Sequence, residues 1–352
     1  MGLMNSTHPS TMQPMTLSSD TRMINIAVLM LFILTAGCAH YPINDSLESL
    51  TSKIERRNRS ANAPGTSEKL HVILTFSGGG TRAAAFSYGV LEELVRTELS
   101  IDGKKRRLLD EVDAISGVSG GSFTAAYYGL YGDRIFEDFE SRFLKENVQG
   151  QLLARTLLYP HNWFRLFSPH FGRSDLAAEY YDKYVFEGGV FADINARRGP
   201  HIIINATDMT YGGWFTFTPN IFDVICSDLA SMRVARAAAA SSAVPGALSP
   251  IMLRNYAGSC GFVMPERLRN ALERPEDMYG IYQLALQVEA FLDVKKKPYI
   301  HLVDGGVADN LGLRAGSAYL NSFDNSLERP TVRKIHSCWK VIIIYKGVRY
   351  VS

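Results

Sequence analysis

The chain has 352 residues, 46% of them hydrophobic, and its 37 basic and 35 acidic residues leave a formal charge of +2. That length and apolar content support one large buried core. The charges are spread evenly, which excludes the basic stripe that nucleic-acid binding requires.

Residues 1–37 read as a signal segment. Arg22 precedes an apolar run, Ile26 to Leu34, and Thr35-Ala36-Gly37-Cys38 follows it. A positive flank, a short apolar core and small residues before the cut fit a secretory signal, and the run falls short of the roughly 20 residues that span a bilayer. Cys38 directly after Ala36-Gly37 resembles the bacterial lipobox, whose cysteine is lipidated; Thr35 departs from it, standing where leucine is usual. The expectation is a lipoprotein of the bacterial cell envelope, with Ala39 favouring the outer membrane and a secreted or periplasmic protein as the alternative. Residues 1–21 are polar and Met23 offers a shorter start, so the true initiator is expected downstream. With Cys38 lipidated, Cys226, Cys260 and Cys338 allow at most one disulfide, and each reads as a small buried apolar residue.

Residues 38–68 read as a polar tether, closed by the breaker Asn62-Ala63-Pro64-Gly65, and residues 69–352 as the folded domain. The domain opens with Leu70 to Phe76, an apolar run bounded by glycines that predicts a buried strand. Phe86, Val90, Leu91 and Leu94 then recur at helical spacing. A second unit follows: a strand at Val112 to Ile115, a tight turn at Ser116 to Gly121, and a helix from Phe123 to Tyr131. Lys104-Lys105-Arg106-Arg107 reads as a solvated loop. Further strands are predicted at His201–Asn205, Tyr299–Val303 and Val341–Tyr345. Strands alternating with helices predict an α/β fold with a mainly parallel central sheet flanked by helices in three layers. Glu137 to Phe186 is longer than a crossover and reads as an extra helical layer, or as a cap over an acyl pocket. Residues 264–293 are a second helical insertion, core or lid.

Three glycine-rich signatures carry the chemistry. Gly117-Val118-Ser119-Gly120-Gly121 is weak alone, since a chain of this length shows Gly-x-Ser-x-Gly by chance about one time in ten. Here the serine follows a predicted strand and opens a predicted helix, the setting of a nucleophile elbow. Ser77-Gly78-Gly79-Gly80-Thr81-Arg82 offers backbone N–H groups at Gly78, Gly79 and Gly80 for an oxyanion, and it lacks the Lys-Ser/Thr ending of a phosphate-binding loop. Asp304-Gly305-Gly306 ends a predicted strand, where its carboxylate can take the proton that makes a serine hydroxyl nucleophilic.

In this order the signatures resemble those of the patatin-like phospholipase family, and Ala239-Ala240-Ser241-Ser242-Ala243-Val244-Pro245-Gly246 is similar to its Ala-Ser-x-Ala-x-Pro stretch. The resemblance covers about residues 70–346. It implies a lipid acyl hydrolase working through a dyad of Ser119 and Asp304, an oxyanion loop at Gly78 to Gly80, no metal or other cofactor, and acyl esters of phospholipids or lysophospholipids as substrates. Arg82 matches an arginine that such lipases place beside the loop, where it can pair with a lipid phosphate. Membrane lipid is then the expected partner.

Two other readings stay open on sequence. An α/β-hydrolase triad in the order Ser119, Asp304, His336 has the right chain order. A catalytically inactive, membrane-tethered lipid-binding protein is the second, since the chain stops at Ser352 soon after a core-like strand and reads as truncated there.

Overall fold

The computed structural model describes residues 44–48, 70–101, 103–168, 171–274, 279–322, 334–338 and 341–347. The signal segment, Cys38 and most of the tether lie outside the described residues, as do the side chains of His336 and Cys338. The predicted units appear in order. Strand β1 (Leu70–Phe76) leads through the glycine loop into helix α1 (Gly80–Arg96), and after a hairpin of β2 (Glu98–Ile101) and β3 (Lys104–Arg107), β4 (Val112–Val118) leads into α2 (Gly120–Tyr131). The basic run at 104–107 is therefore a strand and not a loop; Lys105 pairs with Glu98, Arg106 with the buried Glu111, and Arg107 with Asp110 and Asp133.

The buried face of α1 is Ala83, Ala84, Ser87, Tyr88, Leu91 and Leu94, while Phe86 points outward. Small residues dominate that face because α2 crosses close by: Thr124 Oγ1 donates to the Ala84 carbonyl at 2.9 Å. Helix α2 itself is buried from Gly120 to Leu130, so it shows no polar stripe. A Cβ at its Gly129 would lie 2.5 Å from the Ile202 side chain, so glycine there sets the distance between helix and sheet. Phe123 anchors α2 in an aromatic cluster, stacking on Phe143 at 4.5 Å and meeting Tyr181 edge-on at 4.8 Å.

Beyond α2 come α3 (Val148–Leu157), α4 (Pro160–Leu166) and α5 (Arg173–Tyr184), then β5 (His201–Asp208), β6 (Gly213–Phe217), α6 (Val234–Ser241), β7 (Ile251–Arg254), α7 (Tyr279–Leu292), β8 (Tyr299–Asp304), β9 (Lys334–Cys338) and β10 (Val341–Gly347). The long stretch before β5 is two things at once. Helix α5 is core: its buried Asp175 forms an ion pair with the buried Arg236 of α6 at 2.6 Å. Helices α3 and α4 lie outside it, and Asn162 is their one buried residue. In the second insertion α7 is core, burying Ala285, Val288 and Phe291, and its Gln287 Nε2 donates to the Trp214 carbonyl at 2.6 Å.

The α/β class and the flanking helices are as predicted. The sheet runs β7-β8-β5-β4-β1-β10-β9, with β6 on the other edge of β5. Parallel pairing is confined to its centre, β1 with β4 and β4 with β5, and the outer strands are antiparallel, so the sheet is mixed. The register at β5 places the site. One edge of β5 takes β4 at residues 201–205 and then β8 at residues 206–208, because β6 occupies the opposite edge there. Running in opposite directions, β4 and β8 end tip to tip: Val118 faces Asn205, and Asp304 faces the next residue, Ala206.

Residues 44–48, within the segment read as a tether, are docked on the domain. Asn44 Nδ2 donates to the Arg254 carbonyl at 2.9 Å, and its Oδ1 accepts the Arg254 N–H at 2.8 Å. Leu47 is buried against a disulfide joining Cys226 and Cys260.

Candidate active site

Ser119 is the single residue between β4 and α2, with φ 48° and ψ −119°. An L side chain rarely adopts this conformation, and holding one there costs about 1–3 kcal/mol. Its surroundings enforce it. A Cβ on Gly120 would sit 2.0 Å from the Gly80 carbonyl oxygen, and one on Gly121 would sit 2.5 Å from that of Phe76. The glycines after the serine thus let α2 start directly against the β1–α1 loop. From the other side, the Ser119 N–H donates to Ser241 Oγ at 2.8 Å, and Ser241 Oγ donates to the Asn205 carbonyl at 2.6 Å.

The meeting of β4 and β8 brings the two predicted residues together. Ser119 Oγ donates to Asp304 Oδ2 at 2.8 Å, and both residues are buried. The second carboxylate oxygen, Oδ1, accepts the Gly306 N–H at 2.7 Å, which orients the carboxylate. The backbone around Asp304 is held as firmly: its N–H donates to the Ala243 carbonyl at 2.9 Å, and its carbonyl accepts Thr207 Oγ1 at 2.8 Å. Burial raises the Asp304 carboxyl above the ordinary aspartate value, while hydrogen bonds from Ser119 and Gly306 pull against it. A carboxylate shifted this way is a stronger base than one in water.

The glycine loop lies directly above the serine. A Cβ on Gly78 would fall 3.4 Å from the Ser119 Cβ and 2.3 Å from Asn310 Oδ1. The Gly78 N–H donates to the Asn310 carbonyl at 3.0 Å, so the expectation that all three loop glycines offer oxyanion donors is corrected. Gly78 supplies space. Gly79 (φ 138°) and Gly80 (φ 64°) open α1, where helix geometry leaves N–H groups without an intrahelical acceptor. Arg82 is exposed on the first turn of that helix. Among the described residues, no group of three or more His, Cys, Asp or Glu side chains is arranged to hold a metal ion.

His336 belongs to β9, three strands from β4, and its register leads through Ile343 and Leu74 to Ile115, four residues before Ser119. Strand spacing and rise put the two backbones about 19 Å apart, beyond the reach of a histidine side chain. The triad reading is thereby corrected.

A model of the patatin-like phospholipase family matches residues 74–316. The chain belongs to the patatin-like phospholipase family. It is therefore a lipid acyl hydrolase in general type, a serine hydrolase acting on lipid. No match was found among curated proteins or among solved structures. Three residues around the dyad of this patatin-like chain escaped the sequence reading: Asn205, Ser241 and Asn310. Ser241 lies in the Ala-Ser-x-Ala-x-Pro-like stretch, which marked the segment without giving its role. Asn310 follows Asp304-Gly305-Gly306 closely, but nothing in the sequence says that its carbonyl reaches back to Gly78.

Proposed function

We propose that the chain hydrolyses acyl esters of phospholipids or lysophospholipids through a dyad of Ser119 and Asp304. The observation that carries this reading is the 2.8 Å hydrogen bond from Ser119 Oγ to Asp304 Oδ2, between two buried side chains. Ser119 Oγ attacks the ester carbonyl while its proton passes to Asp304 Oδ2. The tetrahedral oxyanion takes hydrogen bonds from the Gly79 and Gly80 N–H groups, in a site where each such donor is worth about 2.7–4 kcal/mol. Collapse expels the alcohol, which recovers the proton from Asp304 and leaves an acyl-serine. Water, deprotonated by Asp304, attacks the acyl-serine; fatty acid leaves and the proton returns to Ser119. Gly306 N–H holds the carboxylate on target throughout both halves. Arg82, exposed beside the loop, pairs with the lipid phosphate.

The envelope assignment belongs to the same proposal: Cys38 carries the lipid anchor of an outer-membrane lipoprotein, and membrane lipid is the partner. A disulfide between Cys226 and Cys260 supports export to an oxidising compartment. The test is fatty-acid release from defined phospholipids and lysophospholipids. Wild type should release fatty acid, and Ser119→Ala and Asp304→Asn should each reduce the rate at least about a thousandfold. Equal rates in wild type and Ser119→Ala would overturn the assignment.

A further inference from the structure

The helices α3 and α4 leave an unusual surface. Leu157, Leu158, Tyr159, Trp163, Phe164 and Phe167 are all exposed, Leu158 at 73% and Phe164 at 80%. A monomeric soluble protein rarely displays so many large apolar side chains within a dozen residues, and a contiguous group of them marks an interaction surface. These side chains lie at the knuckle between two short helices of 10 and 7 residues. Helices of 10 and 7 residues are far shorter than the roughly 20 residues that span a bilayer, and exposed apolar side chains on such short helices can enter its interface.

Charge says which surface. From Val148 to Ser174 the chain contains no Asp or Glu, while Arg155, Arg165 and Arg173 are all present. Arg165 is paired with Glu179 from α5. Arg155 lies 5.1 Å above the ring centroids of both Tyr180 and Tyr184, a contact that holds the guanidinium in place and keeps its charge. Tyr159 and Trp163 have the amphipathic character of side chains that settle at headgroup level. An apolar knuckle whose own segment carries cations and no carboxylate, with Glu179 alone paired to Arg165 from the neighbouring helix, is complementary to an anionic bilayer surface.

After α4 the chain enters α5, which is ion-paired to α6, the helix that ends at Ser241 beside Ser119. Arg173, at the start of α5, reaches the Gly246 carbonyl with its Nη2 at 3.3 Å. Two residues earlier stands the exposed Val244, next to Ala243, whose carbonyl accepts the Asp304 N–H. Val307 and Leu311, which follow Asp304 closely in the chain, are exposed apolar side chains as well.

From these observations we infer that the α3–α4 knuckle is an interfacial docking surface that seats the protein on anionic bilayers, with the dyad facing the lipid it cleaves. The inference rests on the proposed lipid-hydrolase reading for its purpose, and on the surface alone for its location. Trp163 supplies the probe. Full-length protein, mixed with phosphatidylglycerol vesicles containing brominated acyl chains, should lose tryptophan fluorescence, and Trp163→Phe should remove that loss. Vesicles of brominated phosphatidylcholine should quench about tenfold less at equal lipid. In parallel, Phe164→Ser/Phe167→Ser should lower hydrolysis of phosphatidylglycerol vesicles about tenfold while leaving turnover of a short water-soluble ester within about twofold.

No quenching difference between wild type and Trp163→Phe would overturn the inference. So would a variant that loses vesicle and soluble-ester activity together, because the knuckle would then belong to the catalytic pocket. A concentration-dependent dimer that the double variant abolishes, without any change in quenching, would assign the surface to a second copy of the chain and refute the bilayer. If no ester of any kind is hydrolysed, the hydrolase reading fails, and the quenching experiment still decides the docking surface by itself.

Discussion

Replacing Ser119 by glycine and by alanine separates the geometry of the nucleophile from its chemistry. Both substitutions remove Oγ and its bond to Asp304, so both should be inactive. They differ in the Cβ, which at φ 48° and ψ −119° is strained by about 1–3 kcal/mol. Glycine relieves that strain and returns about 0.5–1 kcal/mol to the unfolded chain as conformational freedom. The glycine variant should therefore be more stable than the alanine variant by about 1–2 kcal/mol, or roughly 2–4 °C in melting temperature for a domain of this size. Scanning calorimetry of the two variants at neutral pH, with the disulfide intact, reads the difference directly. An alanine variant as stable as the glycine variant would show that the turn carries no strain, and the elbow argument would fail with it.

Further outcomes follow from the same geometry. Burial raises the Asp304 carboxyl, so the acid limb of kcat/KM should fall at a pH above the ordinary aspartate value of 3.8; a limb at or below it would contradict the base assignment. For stability the sign runs the other way, because a raised folded value favours the protonated native state, a contribution present below the ordinary value and lost as pH rises through the raised one. Asp304→Asn should accordingly abolish turnover at pH 7 without lowering the melting temperature, and a marked drop in melting temperature would show that the ionised carboxylate stabilises the fold. Gly120→Ala places a Cβ 2.0 Å from the Gly80 carbonyl oxygen and should cost about 3 kcal/mol along with nearly all activity, whereas near-normal stability in denaturant titration would contradict that contact. Breaking the Cys226–Cys260 link, which spans a sequence separation of 34, should cost about 4 kcal/mol and free the Leu47 segment to proteolysis, an effect that partial digestion of Cys226→Ala/Cys260→Ala reads.

Much of the candidate site was legible in the sequence because each of its parts sits where an apolar strand gives way to a glycine-rich turn. Leu70–Phe76, Val112–Ile115 and Tyr299–Val303 read as strands, and the structure extends the second to Val118 and the third to Asp304. Strand direction was not legible. Periodicity records that β8 is buried, but it does not record that β8 runs against β5 and meets β4 tip to tip, which is what joins residues 185 apart. The outward turn of Phe86 escaped for a related reason: in the first half of α1 the stripe facing the core is made of Ala83, Ala84 and Ser87, since a second helix crosses there, and small residues carry little hydrophobic signal. The role of Gly78 was misread because backbone hydrogen bonds have no sequence signature; only its approach to Asn310 shows that its N–H is already engaged. His336 had the chain order of a triad member, and sheet order alone separates it from Ser119.

The dyad itself is tested most directly by covalent labelling with a fluorophosphonate ester, followed by mass mapping of the modified peptide. The account predicts one phosphonylated residue, Ser119, no label in Ser119→Ala, and labelling of Asp304→Asn slowed at least about a hundredfold. Labelling at a different serine, or equally fast labelling without the Asp304 carboxylate, would contradict it.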